Sequence, residues 1–289
     1  MIYVTREILS SRGKFTSRGR RRKNVMITCA GNSGSIAYSL KNLSASWGNN
    51  TVLRNITLDI PYGMVSLIGP NGSGKSTLLR VLAGLMAYSG SVALHGREVR
   101  NITRRKFSRT VSVVMSGKTL RPSYPFSVRE IIAMGRLPYR GIFSRLTRND
   151  EAVIARSAET LRITEFLDRD IMTLSDGERQ LAFIACALAQ DTGTILLDEP
   201  TSCLDPDRSA KVFALMKTLA DGGKCIVAAV HDINASLPYS DRYIALKSGR
   251  IISHGRKISG DVLRELYGTN FTAYHNDERN DEMWRALPE

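Results

Sequence analysis

The glycine-rich segment from Gly69 to Thr77 constrains the fold of this chain more than any other stretch. It follows the short apolar run Met64–Ile68 and precedes Leu78–Leu85, whose apolar spacing predicts a helix. The segment fits the pattern of glycine, four residues and then Gly-Lys-Ser. Backbone N–H groups of such a turn, together with those at the start of the helix, point towards phosphate oxygens. The segment therefore predicts a strand, a phosphate-binding turn and a helix within an α/β domain.

We expect every residue of this turn to take part in binding a nucleotide. The predicted phosphate-binding residues are Gly69, Pro70, Asn71, Gly72, Ser73, Gly74, Lys75, Ser76 and Thr77. Lys75 should reach the β- and γ-phosphates, and Ser76 should ligate Mg²⁺. About one random chain in a hundred of this length would match the pattern by chance. The flanking strand and helix make chance a poorer explanation of the match. Together they predict a nucleotide-binding site, but not the reaction that it carries out.

A second candidate site follows the apolar run Ile195–Leu197, which predicts a buried strand ending in Asp198 and Glu199. In open α/β sheets, ligands bind at the carboxyl ends of the parallel strands. Asp198 is suited to hold Mg²⁺, because hard cations prefer oxygen ligands. Glu199 could act as a general base towards the attacking water. Two acids after a strand would more often begin a helix, but the phosphate loop upstream favours the functional interpretation.

The remaining apolar patterns predict how the chain is organised. Residues 39–46 and 52–60 alternate apolar and polar side chains, as half-buried antiparallel strands do. Further on, predicted strands alternate with helices, which is typical of a mostly parallel sheet covered on both faces. We expect an α/β fold with a mostly parallel core sheet, an N-terminal antiparallel β-subdomain and an inserted helical subdomain. The predicted boundaries are 1–35 for a basic arm, 36–260 for the main domain, about 125–190 for its helical subdomain, and 261–289 for a loosely held tail.

Composition limits the functional classes. Hydrophobic residues make up 43% of the 289 residues, and no run approaches the roughly 18 apolar residues that span a bilayer. If the protein serves a membrane process, a partner chain must do the spanning. The four cysteines are scattered without metal-ligand spacing, which favours a reducing cytoplasm over a disulfide framework.

The net charge of +14 is concentrated at the N-terminus, where residues 1–25 hold eight Lys and Arg side chains and one Glu. Four interpretations of this arm stay open: a mobile solvated segment, attraction to anionic lipid headgroups, contact with nucleic acid, and a chain that begins instead at Met26. A secretory or twin-arginine signal is not expected, because no apolar core follows Arg22.

Three further motifs, taken with the first two, indicate a family. Leu174-Ser175-Asp176-Gly177-Glu178 resembles the Leu-Ser-Gly-Gly-Gln signature of ABC ATPases. Residues 201–205 resemble the D-loop of that family, and His231 follows the next predicted strand, where the family has its switch histidine. All five motifs occur in family order, and the resemblance covers roughly residues 36–255. It implies an ABC-type P-loop NTPase fold and an ATP-hydrolysing subunit.

The resemblance also implies how the site is assembled. Two copies would form a homodimer in which each ATP lies between one phosphate loop and the partner's signature. Ser175 and Gly177 would hold the γ-phosphate, and His231 would contact it and help to place the water. Trp47 stands where the family has an aromatic residue that stacks on adenine.

Two departures from the family pattern stand out. Asp176 and Glu178 replace a glycine and a glutamine of the signature. Asp176 would repel phosphate unless it points away or pairs with a cation such as Arg179. Ser116 occupies the position of the Q-loop glutamine, after the predicted strand Val111–Met115. A serine there can still bond Mg²⁺ or water, but with a shorter reach.

Residues 128–139, together with the signature and the Val-His-Asp-Ile-Asn segment, resemble the ATP-binding subunits of importers for iron-siderophore, haem and cobalamin. This resemblance implies separate transmembrane permease subunits, an extracytoplasmic substrate-binding protein, a place on the cytoplasmic face of the membrane and no direct contact with nucleic acid. Two alternatives stay open: a soluble ABC ATPase acting on ribosomes or nucleic acid, and a regulatory nucleotide-binding module.

Overall fold

The computed structural model of the chain describes residues 35–115, 125–140, 144–276 and 281–287. Three sheets and eight α-helices lie within these ranges. Among the described residues, no helix is both long and apolar enough to cross a bilayer.

The first sheet is antiparallel and has the order β2-β1-β4-β5. Its strands are β1 (Ile36–Trp47), β2 (Asn50–Pro61), β4 (Ser89–Leu94) and β5 (Arg97–Glu98). Alternate residues of β1 and β2 are buried, as expected when one face of a sheet covers a core. The predicted antiparallel β-subdomain is therefore present, with each long strand extending beyond its predicted ends.

The second sheet has six strands in the order β10-β9-β3-β8-β7-β6. Its strands are β3 (Gly63–Ile68), β6 (Val111–Val114), β7 (Thr194–Asp198), β8 (Cys225–Ala229), β9 (Arg242–Lys247) and β10 (Arg250–Gly255). Every neighbouring pair is parallel except β9 with β10. β7 and β8 are buried at every position, which explains why they read as continuous apolar runs. The mostly parallel core sheet is confirmed, and β10 is an addition that the sequence patterns did not reveal.

Helices cover both faces of this sheet. The helices of the core are α1 (Lys75–Leu82), α2 (Arg104–Phe107), α6 (Pro206–Asp221), α7 (Ile233–Ser236) and α8 (Gly260–Tyr267). Two apolar clusters result, one on each face. α1 packs in the cluster that also contains the buried residues of the antiparallel sheet, whereas α6 packs in the cluster on the opposite face.

The helical subdomain consists of α3 (Val128–Met134), α4 (Arg148–Thr160) and α5 (Asp176–Ala189). α3 and α5 approach so closely that a Cβ on Gly135 would lie 2.3 Å from the Cys186 carbonyl oxygen. A buried ion pair between Arg136 and Asp150, at 2.8 Å, joins the segment after α3 to α4. Burial alone would raise the pKa of the Asp150 carboxyl, but hydrogen bonds from the Arg136 guanidinium and from Thr147 outweigh it and lower that pKa to about 2.

The C-terminal segment differs from the loosely held tail that the polar sequence predicts. After α8, the strands β11 (Phe271–Asn276) and β12 (Asp281–Ala286) pair antiparallel. Trp284 packs against the core cluster, and its ring would lie 3.3 Å from a Cβ on Gly260. The polar composition misled because a two-stranded ribbon needs only one face against the core.

Candidate functional site

The phosphate loop has a backbone that only glycine can supply at its first position. Gly69 has φ of +151°, and an added Cβ would lie 2.1 Å from the Leu246 carbonyl oxygen. Gly74 has φ of +109° and caps α1, which begins at Lys75. Leu246 belongs to β9, so a neighbouring parallel strand holds the loop in place.

Lys75 is folded back into this loop. Its side-chain ammonium donates to the carbonyl oxygens of Gly69 at 2.6 Å and Pro70 at 3.1 Å, and only 6% of the residue is exposed. Burial lowers the pKa of Lys75, while Glu199 and Asp198 oppose that shift. Nearby, the buried hydroxyl of Ser73 has no hydrogen-bond partner among the described residues. A buried cation and an unpaired hydroxyl in a glycine turn fit a phosphate group as their ligand.

Ser76 and Asp198 meet at the end of the loop. The Ser76 hydroxyl donates to Asp198 Oδ1 at 3.0 Å, which joins α1 to the carboxyl end of β7. Burial is the main cause of a raised pKa at Asp198, and the nearby Glu199 adds to it, while the Ser76 hydrogen bond opposes it. A hydroxyl and a carboxylate side by side are oxygen donors of the kind that Mg²⁺ prefers. The described residues contain no cluster of three or more His, Cys, Asp or Glu that could hold a metal ion.

Glu199 has an unusual backbone conformation. Its φ is +50°, a left-handed value that costs a non-glycine residue about 1–2 kcal/mol. Its N–H donates to the Ala229 carbonyl at 2.9 Å, so the neighbouring strand β8 holds this conformation. Strained backbone of this kind often occurs at active sites, where the surrounding structure fixes it. Other described non-glycine residues share a positive φ, but Glu199 adopts it directly after Asp198 at the carboxyl end of β7.

His231 lies on the segment between β8 and α7. β8 pairs with both β3 and β7, so the residues after these three strands are gathered at one edge of the sheet. His231 is exposed, and its ring makes no hydrogen bond to another described residue. The structure therefore brings the phosphate loop, the two acids and the histidine to one end of the sheet.

The signature segment begins α5 and stands apart from the loop. Ser175 caps the helix and forms a capping box with Glu178, its hydroxyl donating to Glu178 Oε2 at 2.7 Å. These hydrogen bonds from Ser175 lower the pKa of Glu178. Asp176 accepts from Arg179 at 2.6 Å, which is the pairing expected if this carboxylate is not to repel phosphate. Among the described residues, Ser175 and Gly177 make no hydrogen bond to the phosphate loop.

Gly177 lies against a segment that the sequence patterns did not place near it. A Cβ at this position would lie 2.7 Å from the Cys203 carbonyl oxygen and 3.2 Å from Leu204 Cδ2. The segment 201–205, which follows Glu199, therefore lies directly against the first turn of α5. No sequence pattern would have revealed this contact, because residues 201–205 and the first turn of α5 meet only in the folded protein.

Trp47 lies beside the phosphate loop, at the end of β1. It is 53% exposed, and its indole N–H lies 3.5 Å from the Thr77 hydroxyl. The Arg80 guanidinium stands 5.5 Å from the ring centroid, within cation–π range. Arg80 was not singled out by the sequence patterns. Ser116 and residues 1–34 of the basic arm lie outside the described residues.

Comparison with known proteins decides the family. The family model described as "ABC transporter" matches residues 53–202, which include the phosphate loop, the signature and both acids. The chain belongs to the ABC transporter family. As a member it is an ATP-binding and ATP-hydrolysing subunit.

Curated relatives match most of this ABC subunit. The ferric enterobactin transport ATP-binding protein of Escherichia coli (strain K12) is 34% identical over 78% of the chain and 85% of its own length. The iron(3+)-hydroxamate import ATP-binding protein of Bacillus subtilis (strain 168) is 32% identical over 80% and 87%. The hemin import ATP-binding protein of Rhodococcus jostii (strain RHA1) is 34% identical over 82% and 81%.

Solved structures support the fold. An ABC transporter chain in an inward-facing conformation has a TM-score of 0.75 at 24% identity, and the match covers 88% of this ABC subunit and 98% of that chain. The dimeric bacterial cassette MJ0796 has a TM-score of 0.69 at 26% identity, covering 77% and 99%. The α/β fold with a P-loop NTPase core is thereby confirmed.

Proposed function

We propose that this ABC subunit hydrolyses ATP to energise an importer of iron-siderophore, haem or a related metal chelate. One observation carries the substrate class: three relatives named for import or transport of iron chelates or haem match about four fifths of the chain at 32–34% identity. The chelate itself would be handled by the partner chains.

In this proposal the loop residues bind the phosphates and the acids carry the chemistry. Lys75 leaves the carbonyls of Gly69 and Pro70 to contact the β- and γ-phosphates. Ser76 and Asp198, already in contact, would hold Mg²⁺, which would neutralise charge on the phosphate oxygens. Ser116, at the position of the Q-loop glutamine, would offer a further oxygen to the metal or its water.

Glu199 accepts a proton from the attacking water as general base, and His231 helps to place that water. Trp47 stacks on adenine with one face of its exposed ring, while Arg80 lies near the ring. Hydrogen bonds and stacking of this kind position the reactants and stabilise charge, which is most of what phosphoryl transfer requires.

The second half of each site comes from another copy. A two-fold homodimer would place Ser175 and Gly177 of one subunit on the ATP held by the other. The Ser175 hydroxyl, which donates to Glu178 in the single chain, would then exchange that acceptor for a phosphate oxygen. We propose that the subunit works at the cytoplasmic face of the membrane with permease subunits and an extracytoplasmic substrate-binding protein, and without direct contact to nucleic acid.

Purification of the tagged chain from its native cells in mild detergent tests the transport proposal. We expect a polytopic membrane protein to co-purify, and uptake of a radiolabelled ferric siderophore or haem to fall in cells carrying Glu199→Gln. Sedimentation with ribosomes, without a membrane partner, would overturn the proposal. The alternative of a soluble ABC ATPase would then take its place.

A further inference from the structure

The C-terminal hairpin is tied to the segment that carries His231. The side-chain amide of Asn234 donates to the Trp284 carbonyl at 2.8 Å, and its carbonyl oxygen accepts from the Trp284 N–H, also at 2.8 Å. A carboxamide thus pairs with the edge of β12 much as a neighbouring strand would. Both partners lie beyond residues 53–202, the part matched by the family model.

His231 itself has little to hold it. Its ring is exposed and makes no hydrogen bond to another described residue. Its position therefore depends on the residues on either side. On one side, the Val230 N–H donates to the Leu67 carbonyl at 3.0 Å, which fixes the chain to the core sheet.

On the other side lies α7, which has only four residues. A helix of one turn has no stability of its own, because nucleation fixes several residues for a single hydrogen bond. Asp232 caps it by accepting from the Ala235 N–H at 3.1 Å, and Ile233 is buried in the core cluster. Asn234 adds the tie to β12, so the hairpin fixes the helix that follows His231.

The hairpin can act as a support because it is itself anchored. Trp284 packs over Gly260 at the start of α8, where a Cβ would lie 3.3 Å from the indole ring. Leu263 and Leu266 hold α8 in the core. The two ends of the hairpin are joined by the backbone, since the Leu287 N–H donates to the Asn270 carbonyl at 2.8 Å, and the Thr269 hydroxyl adds a second bond to the Leu287 carbonyl at 3.1 Å.

We infer that Asn234 is a positioning residue for ATP hydrolysis: by pairing with Trp284 it makes the C-terminal hairpin hold His231 in place. The inference rests on the proposed role of His231. Hydrolysis is sensitive to small misplacement of a group near the reacting water, whereas ATP affinity depends chiefly on the phosphate loop. Loss of the tie should therefore lower turnover and leave nucleotide binding nearly unchanged.

ATP hydrolysis by the purified full chain tests this. For Asn234→Ala we expect kcat to fall about tenfold while KM stays within about twofold, the split expected when only positioning is lost. Thr269→Val is the matched control, because it removes one hydrogen bond from the same hairpin without touching the segment that carries His231. We expect its kcat to stay within about twofold of the wild type. Equal rates for the two variants would overturn the inference.

A double-mutant cycle separates this inference from the proposed function. If Asn234 acts through His231, adding Asn234→Ala to His231→Ala should change kcat by less than about twofold, because the two effects are not additive. Losses that multiply would overturn the inference alone. A His231→Ala enzyme with full turnover would instead refute the role of His231, whatever Asn234 does.

Asn234→Asp is a milder substitution that keeps the test valid if Asn234→Ala does not fold. It keeps the size of the side chain and the acceptor for the Trp284 N–H, but it loses the donor to the Trp284 carbonyl. We expect its kcat to fall between those of the wild type and Asn234→Ala, with an unchanged KM. Wild-type turnover in a folded Asn234→Asp protein would count against the inference.

Discussion

The two halves of the proposed nucleotide site differ in how their polar side chains are buried and paired. In the phosphate-loop half, Lys75 and Asp198 are buried and already paired, Lys75 with two carbonyls and Asp198 with Ser76, while the buried Ser73 hydroxyl has no partner among the described residues. In the signature half, Ser175 is exposed and its hydroxyl donates to Glu178 of the same helix turn. In the proposed function, the first half binds nucleotide within a single chain, whereas the Ser175 hydroxyl of the second half stays bonded to its own helix until a partner subunit brings the phosphate.

The difference follows from where the residues lie. The loop and the acids stand at the carboxyl ends of β3 and β7, which both pair with β8, so the core fixes them whether or not a ligand is present. The signature begins α5, where orphan N–H groups must be satisfied by a cap. We infer that the first half governs affinity and the second governs how closure of the dimer is coupled to turnover.

Glu199→Gln gives the largest expected effect and tests the first half. Replacing the carboxylate with an amide removes the proton acceptor, so turnover should fall about 10²- to 10⁴-fold. ATP binding should persist, and the closed dimer should accumulate on size-exclusion chromatography. Undiminished hydrolysis would show that Glu199 is not the general base.

Lys75→Ala should weaken nucleotide binding at least tenfold, because it removes a charge-assisted contact to phosphate from a buried site. Equilibrium binding of a fluorescent ATP analogue measures this. Lys247→Ala, which removes another lysine at the end of the neighbouring strand β9, is the control. Full affinity in Lys75→Ala would contradict the assignment of affinity to the phosphate-loop half.

Gly177→Ala should distinguish the role of the signature half from that of the phosphate-loop half. The added methyl would meet the Cys203 carbonyl at 2.7 Å and force the first turn of α5 away from the D-loop. We expect about tenfold lower turnover, since closure would be distorted, with ATP affinity within about twofold of the wild type. Gly268→Ala is the folding control, because Gly268 has φ of +77° but open space around it. A loss of ATP affinity in Gly177→Ala would refute the division of labour.

Glu178→Ala gives the smallest effect, about 1 kcal/mol of stability, from loss of the capping box. The pKa of Glu178 is lowered in the folded protein, so its stabilisation is fully present above the unfolded pKa and is lost as pH falls through the folded pKa. Urea titrations at neutral and acidic pH should therefore show a gap between wild type and variant that closes on acidification. A gap that is independent of pH would contradict this account of the Ser175–Glu178 bond.

Much of the fold was predictable because it rests on local patterns. The alternation in β1 and β2, the apolar runs of β3, β7 and β8, and the helix after the loop all match the structure. β10 and the hairpin β11–β12 were missed, since partly exposed strands carry a weak pattern and gain their stability from a neighbour. The domain boundaries and the role of Ser116 stay predictions.

By itself, the sequence determined the chemistry available to this ABC subunit: a glycine turn with Lys75 and Ser76, two acids after a strand, and a capped helix at Ser175. These are local, because each needs only a few neighbouring residues in a fixed conformation. Only the tertiary structure decided that Gly177 touches Cys203, that Arg80 lies by Trp47, and that Asn234 pairs with Trp284. Asn234 and Trp284 are far apart along the chain. Because almost any polar side chain can form hydrogen bonds with a strand edge, no residue pattern predicts that Asn234 is the one that does.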